Sequence, residues 1–278
     1  MLEQLTETEM ETYKLHRRFD RMGRLVGDDR MKKLMNSHIM IIGLGGVGSW
    51  AAESIARSGV GKITVVDFDE VCITNFNRQL HALTGNVGTP KSKLMQERLA
   101  KINPQAKIVG IDLFYNQANH DAIFTEKPDY VIDAIDHVTS KCFLLAFCRK
   151  NNIPIITSTG SGGRIDPTQI KITDLALTER DPLARDVRRI LRADYGFPTE
   201  GTYGIAAIYS TEPASKPYEL SYDNGKGFRC VCPQGDNTLF NCDSRNLIYG
   251  NSSFVTGSFG LFAASRVVSD LIQSVSVH

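Results

Sequence analysis

Strand-like and helix-like spacings of apolar residues alternate along the first half of the chain. Residues 37–42 form a short apolar run that ends at Gly43, and residues 46–58 carry apolar side chains at the three-to-four-residue spacing of a helix. A second β-branched run, residues 62–66, ends at Asp67. The pattern predicts a strand–helix–strand unit whose two strands lie parallel, because a helical crossover joins them.

The same alternation continues to residue 157. Helical spacing recurs at residues 91–101, after a proline, and at residues 139–150. Short apolar runs that favour strands lie at residues 106–111, 130–133 and 153–157. We therefore predict an α/β, Rossmann-like fold with a mostly parallel sheet and helices on both faces.

The pattern changes after residue 160, which predicts an elaborated C-terminal third. Residues 169–173 alternate polar and apolar like a strand with one wet face, and residues 203–209 are a further strand candidate. A basic helix is predicted at residues 182–193, and a loop at residues 211–250, where no period is visible. Residues 254–272 are apolar but contain Arg266 and Asp270, which favours a buried helix over a membrane span.

Composition narrows the function classes. The 278 residues carry 32 basic and 31 acidic side chains, for a formal net charge of +1. Any nucleic-acid binding must therefore come from a local patch. The first residues show no apolar signal segment, and the six cysteines form no CxxC pair. We expect a cytoplasmic protein without a structural zinc of that type, with the 254–272 helix as its candidate for membrane association.

A glycine-rich loop supplies the first chemical signal. Residues 43–48, GLGGVG, match G-x-G-x-x-G directly after a predicted strand and before a predicted helix. Such a loop lets phosphate approach the backbone N–H groups at a helix N-terminus, and Asp67 stands where an acid accepts hydrogen bonds from ribose hydroxyls. The alternative is that the glycines serve only helix–sheet packing. On these features alone, NAD is the default ligand.

Three charged residues further along favour ATP over NAD. Arg78 and Lys91 could neutralise the charge that develops on a triphosphate when pyrophosphate leaves, a role with little use in a dehydrogenase. Asp136, just past a strand end, could hold a magnesium ion that bridges phosphates. Taken singly, each of these three residues could be an ordinary solvated side chain. The hypothesis of ATP binding rests on their combined spacing.

Five motifs in order carry a family resemblance. GLGGVG, VVDFDEV, TNFNRQ, VGTPK and DAID, within residues 17–160, resemble the ATP-binding core of the ubiquitin-activating, molybdopterin-synthase and thiamin sulfur-carrier adenylyltransferase superfamily. The resemblance implies one domain over residues 1–278, with 17–160 as the ATP-binding core and 161–278 as a substrate-side extension. It also implies catalytic roles for Arg21, Arg78, Lys91 and Asp136, the last as the magnesium ligand. The implied ATP contacts are Gly43, Gly45, Gly46, Gly48, Asp67, Asp69, Asn75, Arg78 and Lys91.

Arg21 has a special place in this resemblance. It matches the family arginine that reaches the triphosphate from the neighbouring subunit, with Arg24 as the alternative if the register is off by a turn. A homodimer is therefore implied.

Later motifs point to one branch of this superfamily. Sulfur-carrier adenylyltransferases usually have two CxxC pairs, which are absent here. TSTGSGGRIDPTQI at residues 157–170, NRQLHAL at residues 77–83 and YSTEP at residues 209–213 are instead similar to the tRNA threonylcarbamoyladenosine dehydratase family. That resemblance implies ATP-dependent cyclisation of N6-threonylcarbamoyladenosine in tRNA through an acyl-adenylate. The alternatives are an adenylyltransferase acting on the C-terminus of a ubiquitin-like or sulfur-carrier protein, and a non-enzymatic nucleotide-binding scaffold.

Two features bear on partners and on covalent chemistry. Arg185, Arg188, Arg189 and Arg192 recur at i, i+3, i+4 and i+7, which puts four guanidinium groups on one helical face for tRNA phosphates, unless this is only a solvated face. A sulfur-relay protein is a possible further partner. Relatives can carry a cysteine where this chain has Ala207; Cys230 or Cys242 could substitute for it, or could be ordinary cysteines.

Overall fold

Seven strands form one sheet in residues 17–221 and 249–273, the part of the chain that the computed structural model describes. The strands are β1 (His38–Ile42), β2 (Lys62–Val66), β3 (Lys107–Ile111), β4 (Tyr130–Asp133), β5 (Ile155–Ser158), β6 (Ile170–Asp174) and β7 (Ala206–Ser210). Their order is β3-β2-β1-β4-β5-β7-β6. All neighbouring pairs are parallel except β6 and β7. The predicted mostly parallel sheet is confirmed.

Helices lie on both sides of the sheet. They are α1 (Asp20–Val26), α2 (Asp28–Met35), α3 (Gly48–Arg57), α4 (Lys91–Ile102), α5 (His120–Ile123), α6 (Val138–Lys150), α7 (Pro182–Tyr195) and α8 (Ser253–Gln273). The sequence pattern did not predict α1 and α2. Gly27, at a φ of +86°, separates them into pieces too short for a clear period, and α2 buries only Met31 and Leu34.

The central strands are buried on both faces, which explains their unbroken apolar runs. Ile39 and Ile41 of β1 belong to a core shared with α3, α4 and α8, whereas Met40 and Ile42 face a second core shared with α6 and α7. The predicted helices on both faces are confirmed. At one edge of the sheet, β6 is only partly buried, which accounts for its alternating pattern.

The C-terminal helix α8 is a core element of the sheet's first face. Ten of its residues are buried, and the helix packs most closely on α3. A Cβ at Gly260 would lie 2.4 Å from the carbonyl oxygen of Val47, so only glycine allows this close approach. Within the described residues, α8 is the one helix long and apolar enough to cross a membrane by length and composition, and 56% of that apolar window is buried in the protein.

Candidate functional site

The glycine loop joins the carboxyl end of β1 to the N-terminus of α3 in a conformation that only glycines permit. Gly43 has a φ of +91°, and a Cβ on Gly48 would lie 1.7 Å from the carbonyl oxygen of Gly43. No side chain caps the first turn of α3. Its N–H groups, together with the positive end of the helix dipole, are thus suited to an anionic ligand.

Asp67 anchors this loop from the neighbouring strand end. Its Oδ2 accepts a 2.6 Å hydrogen bond from the Leu44 N–H, and its Oδ1 accepts one of 2.9 Å from the Asp69 N–H. The carboxylate is 9% exposed, so it lies at the floor of the site. A carboxylate has further lone pairs, and Asp67 can accept ribose hydroxyls while it holds the loop.

Lys91, at the start of α4, brings a buried cation to the same floor. Its Nζ lies 2.7 Å from Asp69 Oδ2 and 4.0 Å from Asp67 Oδ1. Burial alone would lower the pKa of Lys91, but the carboxylates of Asp67, Asp69 and Asp136 outweigh it and raise that pKa above its ordinary value. Lys91 is therefore a permanent cation at the site.

Asn75 and Arg78 lie on the segment between β2 and α4, which passes close to the loop. Asn75 is buried and its Oδ1 accepts a 3.0 Å hydrogen bond from the Cys72 N–H, which leaves its Nδ2 amide to donate to a ligand. Arg78 Cγ lies 3.2 Å from where a Cβ on Gly46 would stand. The indole of Trp50, on α3, donates to the Arg78 carbonyl at 3.1 Å, so α3 and this segment are joined.

Asp136 follows the carboxyl end of β4, and its charge acts on Lys91. Its side chain is exposed. Within the described residues, no group of three or more His, Cys, Asp or Glu side chains could hold a metal by itself. A single carboxylate beside a phosphate-binding loop fits magnesium, which is commonly held by one or two carboxylates together with substrate phosphates.

A buried cluster that the sequence analysis missed fixes the strand end before Asp136. Lys141 Nζ donates to Asp133 Oδ2 at 2.6 Å, to Thr157 Oγ1 at 3.0 Å and to the Ser158 carbonyl at 3.0 Å. The other carboxylate oxygen of Asp133 accepts from the Ile135 N–H at 3.0 Å. Lys141 lies in a helical run of mixed character, so nothing in the sequence marked it as a residue that ties β4 to β5.

Gln79 is a second residue that the sequence analysis missed. Its side chain is buried, its Oε1 has no hydrogen-bond partner, and its Nε2 lies 4.0 Å from where a Cβ on Gly45 would stand. An unpaired buried amide beside the loop is a polar group that a ligand can satisfy. Its place in the NRQ motif, next to Arg78, was the available signal.

Arg21 is not brought to this site within one subunit. It is exposed on α1, and the ring of Phe19, the residue before α1, lies 3.3 Å from where a Cβ on Gly59 would stand, just past the C-terminal end of α3. The glycine loop lies at the other end of α3, about 15 Å away for a ten-residue helix. Arg24, the alternative, is on the same helix and pairs with Asp20 at 3.0 Å.

The four arginines of α7 line one shallow depression of about 510 Å³. Two of them are tied to the protein. Arg188 Nη1 donates to the Thr178 carbonyl at 2.9 Å, and Arg192 Nε donates to the Tyr203 hydroxyl at 2.7 Å. Arg185 and Arg189 are exposed.

The described cysteines are unsuited to nucleophilic chemistry. Cys72, Cys142 and Cys148 are all buried, and burial raises the pKa of Cys142 to about 12. Ala207 is fully buried in β7, between β5 and β6. Cys230 and Cys242 lie outside the described residues.

The assembled site can bind and activate a nucleoside triphosphate. The glycine loop, Asp67 and Lys91 meet at the carboxyl edge of β1 and β2, the charge of Asp136 acts on Lys91 from the end of β4, and Arg78 lies beside the loop. Cations placed around a phosphate stabilise the charge that develops during displacement at phosphorus. The arrangement fits adenylation of a carboxylate.

Known proteins are similar to this chain over most of its length. A model of the ThiF family matches residues 19–274. The chain is 41% identical over 264 residues to a tRNA threonylcarbamoyladenosine dehydratase of Escherichia coli, covering 93% of this chain and 95% of that protein. It is similar, with a TM-score of 0.80 and 38% identity, to the crystal structure of the E. coli tRNA N6-threonylcarbamoyladenosine dehydratase in complex with ATP, covering 93% of this chain and 95% of that one. The molybdopterin-synthase adenylyltransferase of E. coli is 31% identical over 162 residues, covering 58% of this chain and 63% of that protein.

Proposed function

The chain belongs to the ThiF family, and we propose that it is the ATP-dependent enzyme that cyclises N6-threonylcarbamoyladenosine in tRNA. The observation that carries this function is the extent of similarity. Likeness to the dehydratase covers 93% of the chain, including the extension after residue 160, whereas likeness to the molybdopterin adenylyltransferase covers 58%. The segment after residue 160 is thus shared with the dehydratase, which supports the modified tRNA as the substrate.

The reaction begins at the carboxylate of the threonylcarbamoyl group. This oxygen attacks the α-phosphorus of ATP, the bond to the β-phosphate breaks, and pyrophosphate leaves with the electron pair. The urea nitrogen of the same modification then attacks the acyl carbon, AMP leaves, and the nitrogen loses its proton. Closing a five-membered ring is intramolecular, where effective molarities can be on the order of 10⁵ M or more. No protein nucleophile is required.

The residues of the site divide this work. The glycine loop and Asp67 hold the nucleotide, and Lys91 and Arg78 neutralise the charge that moves from the α-phosphate to the leaving pyrophosphate. Asp136 would hold magnesium against the phosphates, and the ion would supply further charge neutralisation there.

Arg21 completes the site in a symmetric homodimer. Its position near the C-terminal half of α3 keeps it from the glycine loop of its own subunit, which supports the role that the family resemblance implies: binding the partner's triphosphate. A two-fold arrangement would place one Arg21 at each of the two sites.

The proposal includes a cytoplasmic location, where tRNA and ATP are present. The packing of α8 on α3 supports a core role for that helix rather than membrane association. The reaction uses no sulfur, so a sulfur-relay protein would be a binding partner outside the chemistry.

The test measures pyrophosphate release with three substrates. Purified protein is given ATP with tRNA that carries the modification, with the same tRNA lacking it, or with a carrier protein ending in Gly-Gly. We expect release only with the modified tRNA, and loss of one water from the nucleoside by mass spectrometry. Release with the carrier protein alone would identify an adenylyltransferase, and nucleotide binding without release under any condition would identify a scaffold.

A further inference from the structure

The depression on α7 gathers four cations in a chain of almost zero net charge. The formal net charge is +1, so the protein has no general attraction for polyanions. Arg185, Arg188, Arg189 and Arg192, with Ala193, form what we call the arginine groove. It is a local basic surface, and the adenylation site does not use it.

Hydrogen bonds to the protein hold two sides of the groove in place. Arg188 donates to the carbonyl and hydroxyl of Thr178, and Arg192 donates to the Tyr203 hydroxyl. Fixing guanidinium groups before binding reduces the side-chain entropy lost when an anion arrives. Arg185 and Arg189 are exposed without a hydrogen bond to Thr178 or Tyr203, and Asp186 is an acid 3.8 Å from Arg185.

A buried ion pair ties the groove to the catalytic edge of the sheet. Asp181 caps α7, its Oδ1 accepting from the Ala184 N–H at 2.8 Å, and its Oδ2 pairs with Arg164 Nη2 at 3.0 Å. Arg164 also donates to the Gly160 carbonyl, just after β5. Since β5 neighbours β4, the strand before Asp136, α7 starts at the edge where ATP binds. Its 14 residues extend about 21 Å from there.

We propose that the arginine groove binds the sugar-phosphate backbone of the substrate RNA, close to the nucleoside that is cyclised. This inference rests on the proposed function and names the surface that holds its tRNA. Planar guanidinium groups bind phosphate oxygens in pairs, and four of them along about 10 Å of helix suit a ligand with repeated anions rather than one terminal carboxylate.

The experiment uses Arg185→Ala/Arg189→Ala, because these two side chains are exposed and neither holds the fold by a hydrogen bond to Thr178 or Tyr203. The matched control is Lys101→Ala/Lys107→Ala, which removes two exposed cations near β3, at the opposite edge of the sheet. Binding of modified tRNA is measured by fluorescence anisotropy between about 0.05 and 0.2 M salt. ATP binding is measured by calorimetry on the same proteins.

Each phosphate contact contributes about 0.7–0.9 to the salt slope of log affinity, so loss of two contacts flattens the slope by about 1.4–1.8. At about 0.15 M salt this corresponds to roughly 15–30-fold weaker tRNA binding. The control variant should bind tRNA like the unmodified protein, and all three proteins should bind ATP equally.

Two results would overturn the inference: an unchanged tRNA affinity and slope in the arginine variant, or an equal loss in the lysine control. If the proposed function itself is wrong, the wild-type protein will release no pyrophosphate with the modified tRNA. That result is distinct from either outcome with the variants. If the groove binds an acidic protein segment instead of RNA, the arginine variant will bind tRNA normally but will bind an acidic peptide more weakly than the wild-type protein does. This result would also overturn the inference.

Discussion

Replacing Lys91 by methionine tests the charge arrangement at the floor of the site. Its Nζ stands 4.0 Å from the buried carboxylate of Asp67. At an effective dielectric constant of about 20, charges at this distance attract by about 4 kcal/mol. Two backbone N–H groups still hold Asp67 in the variant, the pair with half-exposed Asp69 contributes little, and the buried ammonium no longer needs desolvation. We therefore expect Lys91→Met to lower the free energy of unfolding by about 2–3 kcal/mol.

This loss should depend on pH in a defined direction. Burial raises the pKa of Asp67, and the charge of Lys91 lowers it in part. Removing Lys91 therefore raises the pKa of Asp67 further. The folded-state pKa of Asp67 then lies above its unfolded value of about 4. Protonation therefore stabilises the folded protein more than the unfolded chain. The deficit should be largest near pH 7 and shrink as the pH falls towards about 4.

Urea unfolding, followed by the fluorescence of Trp50, measures these free energies. Asp67→Asn/Lys91→Met should recover only part of the stability: both buried charges are gone, but the Asn oxygen can accept from only one of the two backbone N–H groups that Asp67 binds. Pyrophosphate release should be about 10²–10³-fold reduced in both variants. Lys93→Met, an exposed position on the same helix, should change neither quantity. The reasoning is wrong if Lys91→Met is as stable as the wild-type protein at about pH 7, or if its loss of stability does not shrink as the pH falls.

Three further outcomes are expected. Asp136→Asn should reduce turnover about 10²–10³-fold and raise the magnesium concentration needed for half-maximal rate, with tRNA affinity unchanged; normal turnover at low magnesium would contradict this role. Mixed Arg21→Ala and Asp136→Ala proteins should recover about a quarter of full activity, since random exchange makes half of the dimers mixed and each mixed dimer has one intact site; no recovery after confirmed subunit exchange would exclude a shared site. Gly260→Ala should destabilise the protein by about 1–3 kcal/mol in urea unfolding, because its Cβ would lie 2.4 Å from the Val47 carbonyl oxygen, and unchanged stability would show that α8 shifts freely.

The sequence by itself determined the alternation of strands and helices, because both periods follow from local geometry and from burial on both faces of a parallel sheet. It also located the glycine loop, since Gly43 and Gly48 occupy positions where a Cβ is strained or excluded. Asp67 follows a predicted strand and Lys91 follows the proline before a predicted helix, and the fold brings their charged groups to 4.0 Å from each other.

The tertiary structure alone decided what each charge contacts, because those contacts join residues far apart in the chain. Lys141 pairs with Asp133 and donates to Thr157, and Arg164 pairs with Asp181, so both cations are buried in ion pairs although the sequence shows them in ordinary polar surroundings. Of the four arginines on one face of α7, the structure alone shows that Arg188 donates to Thr178 and Arg192 to Tyr203. The tertiary structure also places Arg21 near the end of α3 that is opposite the glycine loop. The sequence does not predict this position, because the packing of α1 depends on residues far away in the chain.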